Sequence, residues 1–333
     1  MIRRLVFMYL CIMLTSCTTS NTALKHAEIS VAYIVNPRLE QLSQQDIVKV
    51  LDKIKLVTQQ RLDLKLTFKP LHITSIHDLF QPYQQKIRSD AQMQSFMLKP
   101  EQHSKEVLYH GFIAAFDQLS LEEIIAGVKN QTNSHEIDTS KSRQDILQQI
   151  AYLHIDKLIK IKSIKVKYDH KDLLQDDLYN EYIAWDYIIN QQSKYDLIIT
   201  NQLIASAEAY YPTVHTSLRG GITSGFAAKS HTSYDGAIVM TTYPFISSTP
   251  FFQQARGRNY SRQEMIDTIA YTAVHELGHL FKYRKHYYDH PGCVMRPAPG
   301  LHYLEWMKEV KQSKKCLKKH DTYWKDYFSN QGS

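Results

Sequence analysis

Along the first third of the chain the apolar positions switch between two periods. EISVAYIVNP (28–37) is β-branched and apolar and predicts a strand. LEQLSQQDIVKVLDKIKLVTQQ (39–60) carries apolar side chains at helical spacing, and LKLTFKPLHI (64–73) alternates as a strand does. The order is β-α-β. From about 75 to 193 the spacing is mostly helical, as in SRQDILQQIAYLHIDKLIKI and YNEYIAWDYIINQQ, with polar loops such as KNQTNSHEIDTSK between, and this block reads as a helical insertion. Strand patterns return at YDLIITNQLI (195–204), GGITSGFAAK (220–229) and DGAIVMTTYPFI (235–246), with a long helix directly after; no internal repeat is visible.

That helix opens on Ser261 with Glu264 three residues later, the signature of a capping box, and no proline interrupts the run from there to the histidines. Ile266, Ile269, Ala270, Ala273, Val274, Leu277, Leu280 and Phe281 form one apolar stripe. His275 and His279 fall on nearly the opposite face with Thr268 and Thr272, so the pattern predicts imidazoles pointing away from the core. VHELGHLF contains HExxH as His275, Glu276 and His279. Two histidines at i and i+4 stand one helical turn apart on one face, close enough to share a Zn²⁺ ion. Glu276 beside them is placed to take a proton from an attacking water and pass it to a leaving amine.

Composition narrows the class. The 333 residues are 43% hydrophobic with only 11 Gly and 10 Pro, which excludes collagen-like and low-complexity chains. Net charge is +7, but the basic residues are scattered, and nucleic acid is not a predicted partner. The one strongly apolar stretch, residues 5–14, is too short to span a bilayer of about 30 Å. With Arg3 and Arg4 before it and Leu14, Thr15, Ser16 and Cys17 at its end, it reads as an export signal whose close resembles the bacterial lipobox. The expectation is cleavage after residue 16 and a lipid on Cys17, with a polar tether over 17–27. By resemblance to enterobacterial sorting, Thr18 in place of Asp implies the outer membrane of a bacterial envelope, facing the periplasm or the exterior.

The segment HELGHLFKYRKHYYDHPGCVMRP resembles the archaemetzincins of the metzincin clan, which read HExxHxxGxxHC, then CxM, then CxxC. Cys293, Val294 and Met295 match CxM, and the resemblance makes Met295 the Met-turn methionine beneath the metal. It covers residues 275–316 specifically, 195–246 and 29–73 more loosely, and leaves 75–193 and the tail after Cys316 unexplained. The family's helix-ending glycine and third histidine fall on Lys282 and Lys285, with His286 one residue late. His286 is the favoured third ligand, because one extra residue on each side of it restores the register, and His290 is the competitor. Glu305 and Glu309 keep open a gluzincin arrangement, against which the CVM segment speaks. Tyr303 is a packing residue before it is a tyrosine at the metal.

The family's second zinc uses four cysteines, of which this chain keeps Cys293 and Cys316, with Tyr287 and Ser313 at the other two positions. For an exported chain the resemblance implies a disulfide between Cys293 and Cys316 in its place. The resulting expectation is an α+β zincin domain over 28–333: a twisted mixed sheet over an active-site helix, a helical insertion at about 75–193 and a helical C-terminal part closing the cleft. By resemblance, the strand at 235–246 lies at the cleft rim and adds an extended peptide to the sheet. The implied activity is a zinc metallopeptidase with one catalytic zinc, Glu276 as general base and a peptide or protein substrate. The alternative is a non-catalytic envelope lipoprotein that uses a zincin fold to bind a partner.

Overall fold

The computed structural model describes residues 25–81, 104–116, 119–131, 134–163, 167–168, 171–172, 185, 189, 194–204, 213–228, 236–281, 286–288, 290 and 292–313. The expected export signal, the expected lipid site at Cys17, Cys316 and the C-terminal tail lie outside these residues. The chain folds as a mixed α+β structure.

The first predicted strand is two strands. β1 (Lys25–Ile29) and β2 (Val31–Val35) are separated at Ser30, whose backbone N–H and hydroxyl both donate to Asp196 Oδ2 at 2.7 Å. Helix α1 (Gln44–Leu62) comes next, closed at its start by a reciprocal capping box between Ser43 and Asp46 and at its end by Asp63 in the left-handed region (φ 51°). Residues 64–73 divide likewise, into β3 (Leu64–Phe68) and β4 (His72–Ser75) on either side of Pro70, which has no N–H for a ladder. β3 pairs in parallel with β1, and β4 in parallel with β2.

Two very short strands, β5 (Lys167–Tyr168) and β6 (Lys171–Asp172), form an antiparallel ladder of their own within the insertion. The later strands β7 (Leu197–Thr200), β8 (Gly225–Ala228) and β9 (Ala237–Thr241) join β2 and β4 in a five-stranded sheet of order β4-β2-β7-β9-β8. Its first four strands are parallel, and β8 runs antiparallel along the edge. β7 and β9 are buried at every position, as central strands of a covered sheet must be. β7 ends early because Asn201 turns its amide onto the chain leaving β2: its Oδ1 accepts from Asn36 N at 2.7 Å and its Nδ2 donates to Asn36 O at 2.8 Å.

Two expectations for 235–246 are corrected. β9 pairs with β7 and β8 and is therefore an interior strand, while β8 ends the sheet on that side among the described residues. The chain also leaves the strand state at Thr242: Thr241 Oγ1 accepts from Tyr243 N at 3.0 Å and Pro244 stands in the first turn of a short helix.

The insertion contributes α2 (Ile76–Phe80), α3 (Lys105–Phe116), α4 (Leu121–Lys129) and α5 (Arg143–Ser163). Most of the predicted helix at 179–192 lies outside the described residues, although Trp185 and Ile189 are helical and buried, Trp185 edge-on to Phe80. The insertion has its own apolar cluster, with Phe116, Ile124, Val128, Ile146, Leu147 and Ile150 packed around Val214 and Leu218. Those last two belong to α6 (Val214–Leu218), a five-residue helix just before β8.

Two short helices, α7 (Tyr243–Ile246) and α8 (Pro250–Arg256), precede α9 (Arg262–Phe281), the HExxH helix. The capping box of α9 forms, with Ser261 N donating to Glu264 Oε2 at 2.9 Å and Glu264 N to Ser261 Oγ at 3.3 Å. α9 packs against α1, and Arg262 holds Asp46 by two bonds of 2.8 and 2.6 Å. α10 (Tyr303–Gln312) also packs along α9. The expected open polar face of α9 is therefore covered: Thr268, Thr272, His275 and Glu276 are all buried. The threonines tolerate this because their hydroxyls donate to carbonyls one turn back, Thr268 to Glu264 O at 2.7 Å and Thr272 to Thr268 O at 2.9 Å. No helix among the described residues is long and apolar enough to cross a membrane.

Candidate metal centre

α9 brings His275 and His279 together as its periodicity requires, with their Nε2 atoms 3.2 Å apart. His286, beyond the end of the helix, completes a triad: its Nε2 lies 3.2 Å from that of His279, and the three ligand atoms fall within 4.8 Å of one another. His290 is not part of the group; its ring packs at a tilt against Tyr287. Glu305 and Glu309 stand apart as well, Glu305 near His302 and Glu309 paired with Arg296 at 2.7 Å.

The donor set fits a metal ion. His275 Nδ1 donates to Val294 O at 2.7 Å, which puts the proton on Nδ1 and leaves the Nε2 lone pair directed at the centre. His286 Nδ1 likewise faces Tyr288 Oη, at 3.4 Å. Burial, first of all, holds the His275 and His286 pKa values well below the ordinary imidazole value, so both rings are neutral as ligation requires. His279 Nε2 can donate a proton to one of its neighbours and not to both, so lone pairs stay opposed unless a cation lies between them. Nitrogens each about 2.0–2.1 Å from a tetrahedral zinc stand roughly 3.4 Å apart, close to the 3.2 Å of the two pairs that His279 makes.

The floor of the site is the CVM segment. Arg296 N donates to Cys293 O at 3.0 Å, closing a tight turn whose central residues are Val294 and Met295. Val294 supplies the carbonyl under His275, and Met295 is fully buried against α9 at Gly278. A Cβ at residue 278 would lie 2.1 Å from Met295 Sδ, so HELGH carries glycine there for the sake of the methionine. Trp306 of α10 stands edge-on to His275 and donates its indole N–H to Arg296 O at 2.7 Å. Cys293 is disulfide-bonded; every other cysteine, Cys316 included, lies outside the described residues.

Glu276 lies beneath the edge strand. A Cβ at Gly225 of β8 would come within 2.7 Å of Glu276 Cγ and 3.0 Å of its Oε1, so the carboxyl occupies the space a side chain would need. Burial pushes its pKa up to about 8, with the positive charge of Arg219 acting in the opposite direction.

Sequence reading missed His215, Arg219 and Tyr288. Arg219, buried at the end of α6, donates to Ala298 O, contacts Ser224 Oγ at 3.4 Å and stands with Cζ 5.6 Å from the ring centre of Tyr303. Tyr303 is buried, and packs against Phe245 with ring centres 4.4 Å apart. No local signal marks His215 or Arg219 as site residues, since both arrive on α6. Of the scattered histidines set aside as non-ligands, His154 is buried against Phe112 in the insertion and His110 is exposed, while His170 and His231 lie outside the described residues. No protein-family model, curated protein or solved structure matches this chain.

Proposed function

We propose that the protein is a zinc-dependent peptidase of metzincin type, carried on the bacterial envelope by a lipid on Cys17. The observation that carries this reading is the convergence of three imidazole Nε2 atoms, two of them from the helix that also carries the buried carboxyl of Glu276. His275, His279 and His286 would hold one zinc ion, since imidazole nitrogens converging from three sides suit that metal. When bound, such an ion lowers the pKa of a water molecule and polarises a carbonyl.

The chain's own residues supply the remainder. Glu276 accepts a proton from water as its oxygen bonds to the scissile carbonyl carbon, and delivers that proton to the amine nitrogen as the C–N bond breaks. A carboxyl raised by burial is suited to this double role, and a neighbouring cation brings its pKa back down towards the carboxylate range. β8, the last strand of the sheet on the α9 side among the described residues, is the strand to which an extended peptide would add. The antiparallel edge strand over α9 and the Cys293–Arg296 turn under the histidines support the metzincin comparison.

The test is metal analysis and peptide-library cleavage by the soluble form lacking residues 1–17, beside its Glu276→Gln variant. Bound zinc in both, with hydrolysis lower by roughly a hundredfold or more in the variant, is the expected result. Zinc binding with cleavage that Glu276→Gln leaves untouched would transfer the protein to the partner-binding class. Mass spectrometry of the mature N-terminus tests the anchor: a diacylated Cys17 supports it, and a free N-terminus further along opposes it.

A further inference from the structure

Behind the third histidine stands a layer of side chains for which hydrolysis has no use. Tyr288 Oη lies 3.4 Å from His286 Nδ1 and 3.3 Å from His215 Nδ1. Thr213 Oγ1 lies 3.0 Å from the same His215 nitrogen, and the His215 ring stands edge-on to that of His286 with centres 4.7 Å apart. α9 fixes the backbone of His275 and His279, and Val294 O already holds the His275 ring through its Nδ1. His286 lies beyond the helix, so its ring orientation has to come from what its Nδ1 meets.

We propose that Tyr288 and His215 are positioning residues that orient His286 for metal binding, and that the helical insertion sets their place. The inference rests on the reading that the triad binds a metal. Proton directions are consistent with it: with Nε2 given to a metal, His286 Nδ1–H donates to Tyr288 Oη, and the Tyr288 hydroxyl donates to His215 Nδ1. His215 rides on α6, which the insertion grips on two sides. Val214 and Leu218 belong to the insertion's apolar cluster, and α4 approaches so closely that a Cβ on Gly127 would lie 3.0 Å from Val214 Cβ. From α5, Lys157 Nζ donates to Leu218 O at 2.8 Å and is itself held by Glu136 at 3.2 Å. Gly220, at φ 76°, then turns the chain where a Cβ would meet Lys157 at 2.1 Å. The block of sequence that the family resemblance leaves unexplained thus reaches the metal through one short helix.

The experiment is a zinc competition titration against a chromophoric chelator, with thermal unfolding of the metal-free protein alongside. Tyr288→Phe removes one hydroxyl and keeps the ring, and His215→Leu removes the acceptor; each should weaken zinc binding by about tenfold to a hundredfold. His215→Asn, which places an amide oxygen where Nδ1 stood, should recover most of the loss. The metal-free melting temperature of Tyr288→Phe should equal that of wild type. Wild-type affinity in Tyr288→Phe overturns this inference and leaves the metal reading standing, whereas a wild-type protein that takes no zinc overturns both. A Tyr288→Phe protein whose metal-free form is destabilised in proportion to its lost affinity also overturns it, by making the residue structural.

Discussion

On one side of the candidate metal centre His275, Glu276 and His279 ride on a single capped helix, whereas on the other His286 is met by Tyr288 from its own loop and by His215 from a short helix seated in the insertion. The first side is held by backbone periodicity, which any helix of this sequence reproduces. The second depends on packing between segments far apart in the chain. Loss of a functional group should break the first, while small displacements of the scaffold should be enough to weaken the second.

Removing ligands gives the largest effect. His275→Ala, His279→Ala and His286→Ala should each lose stoichiometric zinc in metal analysis after dialysis, while His290→Ala, whose ring lies outside the triad, should keep it. Full zinc in His286→Ala would remove the second side of the comparison altogether.

Gly225→Ala separates chemistry from binding. The new Cβ must displace Glu276 by a fraction of an ångström to an ångström, and misplacement on that scale costs roughly a hundredfold in rate. Zinc content should be unchanged, so the expected signature is lost turnover at full metal loading. Unchanged kinetics would mean that β8 yields instead of Glu276.

Cys293 anchors the turn beneath the histidines. Cys293→Ser should lower unfolding stability by about 2–4 kcal/mol with zinc retained, and non-reducing peptide mapping of the parent protein should join Cys293 to Cys316. Two alkylatable thiols in the folded protein would sink the pairing. Gly278→Ala forces Met295 out of a filled space and should cost about 1–3 kcal/mol, read as an earlier denaturation midpoint.

The smallest effect concerns the capped start of α9. Hydrogen bonding from Arg258, first among the causes, lowers Glu264 to about 2, and Arg262 lowers Asp46 in the same way. A carboxyl depressed in the folded state stabilises fully above its unfolded pKa, about 4.3 for Glu, and that contribution fades as pH falls towards the folded value. Acid titration of stability should therefore show a shallower decline between about pH 4 and 2 in Glu264→Gln than in wild type. Parallel curves would show that this end of α9 contributes nothing to acid lability.

The elements whose cause is local were legible in the sequence. The α1 helix, the Ser261–Glu264 cap and the HExxH face depend on residues three or four apart, and the β-α-β opening depends on alternation within single segments. Helical spacing alone sufficed to put His275 and His279 together. It did not suffice to show that their face is buried, because Thr268 and Thr272 look solvent-bound in sequence yet are satisfied by their own helix.

Tertiary structure decided whatever depends on neighbours from elsewhere in the chain. The strand patterns at 28–37 and 64–73 each read as one continuous strand, and only Asp196 reaching Ser30 and the partition of pairing around Pro70 show that each is divided. Edge and centre of a sheet are assigned by pairing, so 220–229 and 235–246 could not be told apart in that respect by composition. Between His286 and His290 the sequence supplied a register argument and nothing more; the choice comes from which ring the packed chain carries to within 3.2 Å of His279. His215, Tyr288 and Arg219 left no local mark, because their chemistry exists only where α6, β8 and the turn after α9 converge, and convergence is a property of the whole core.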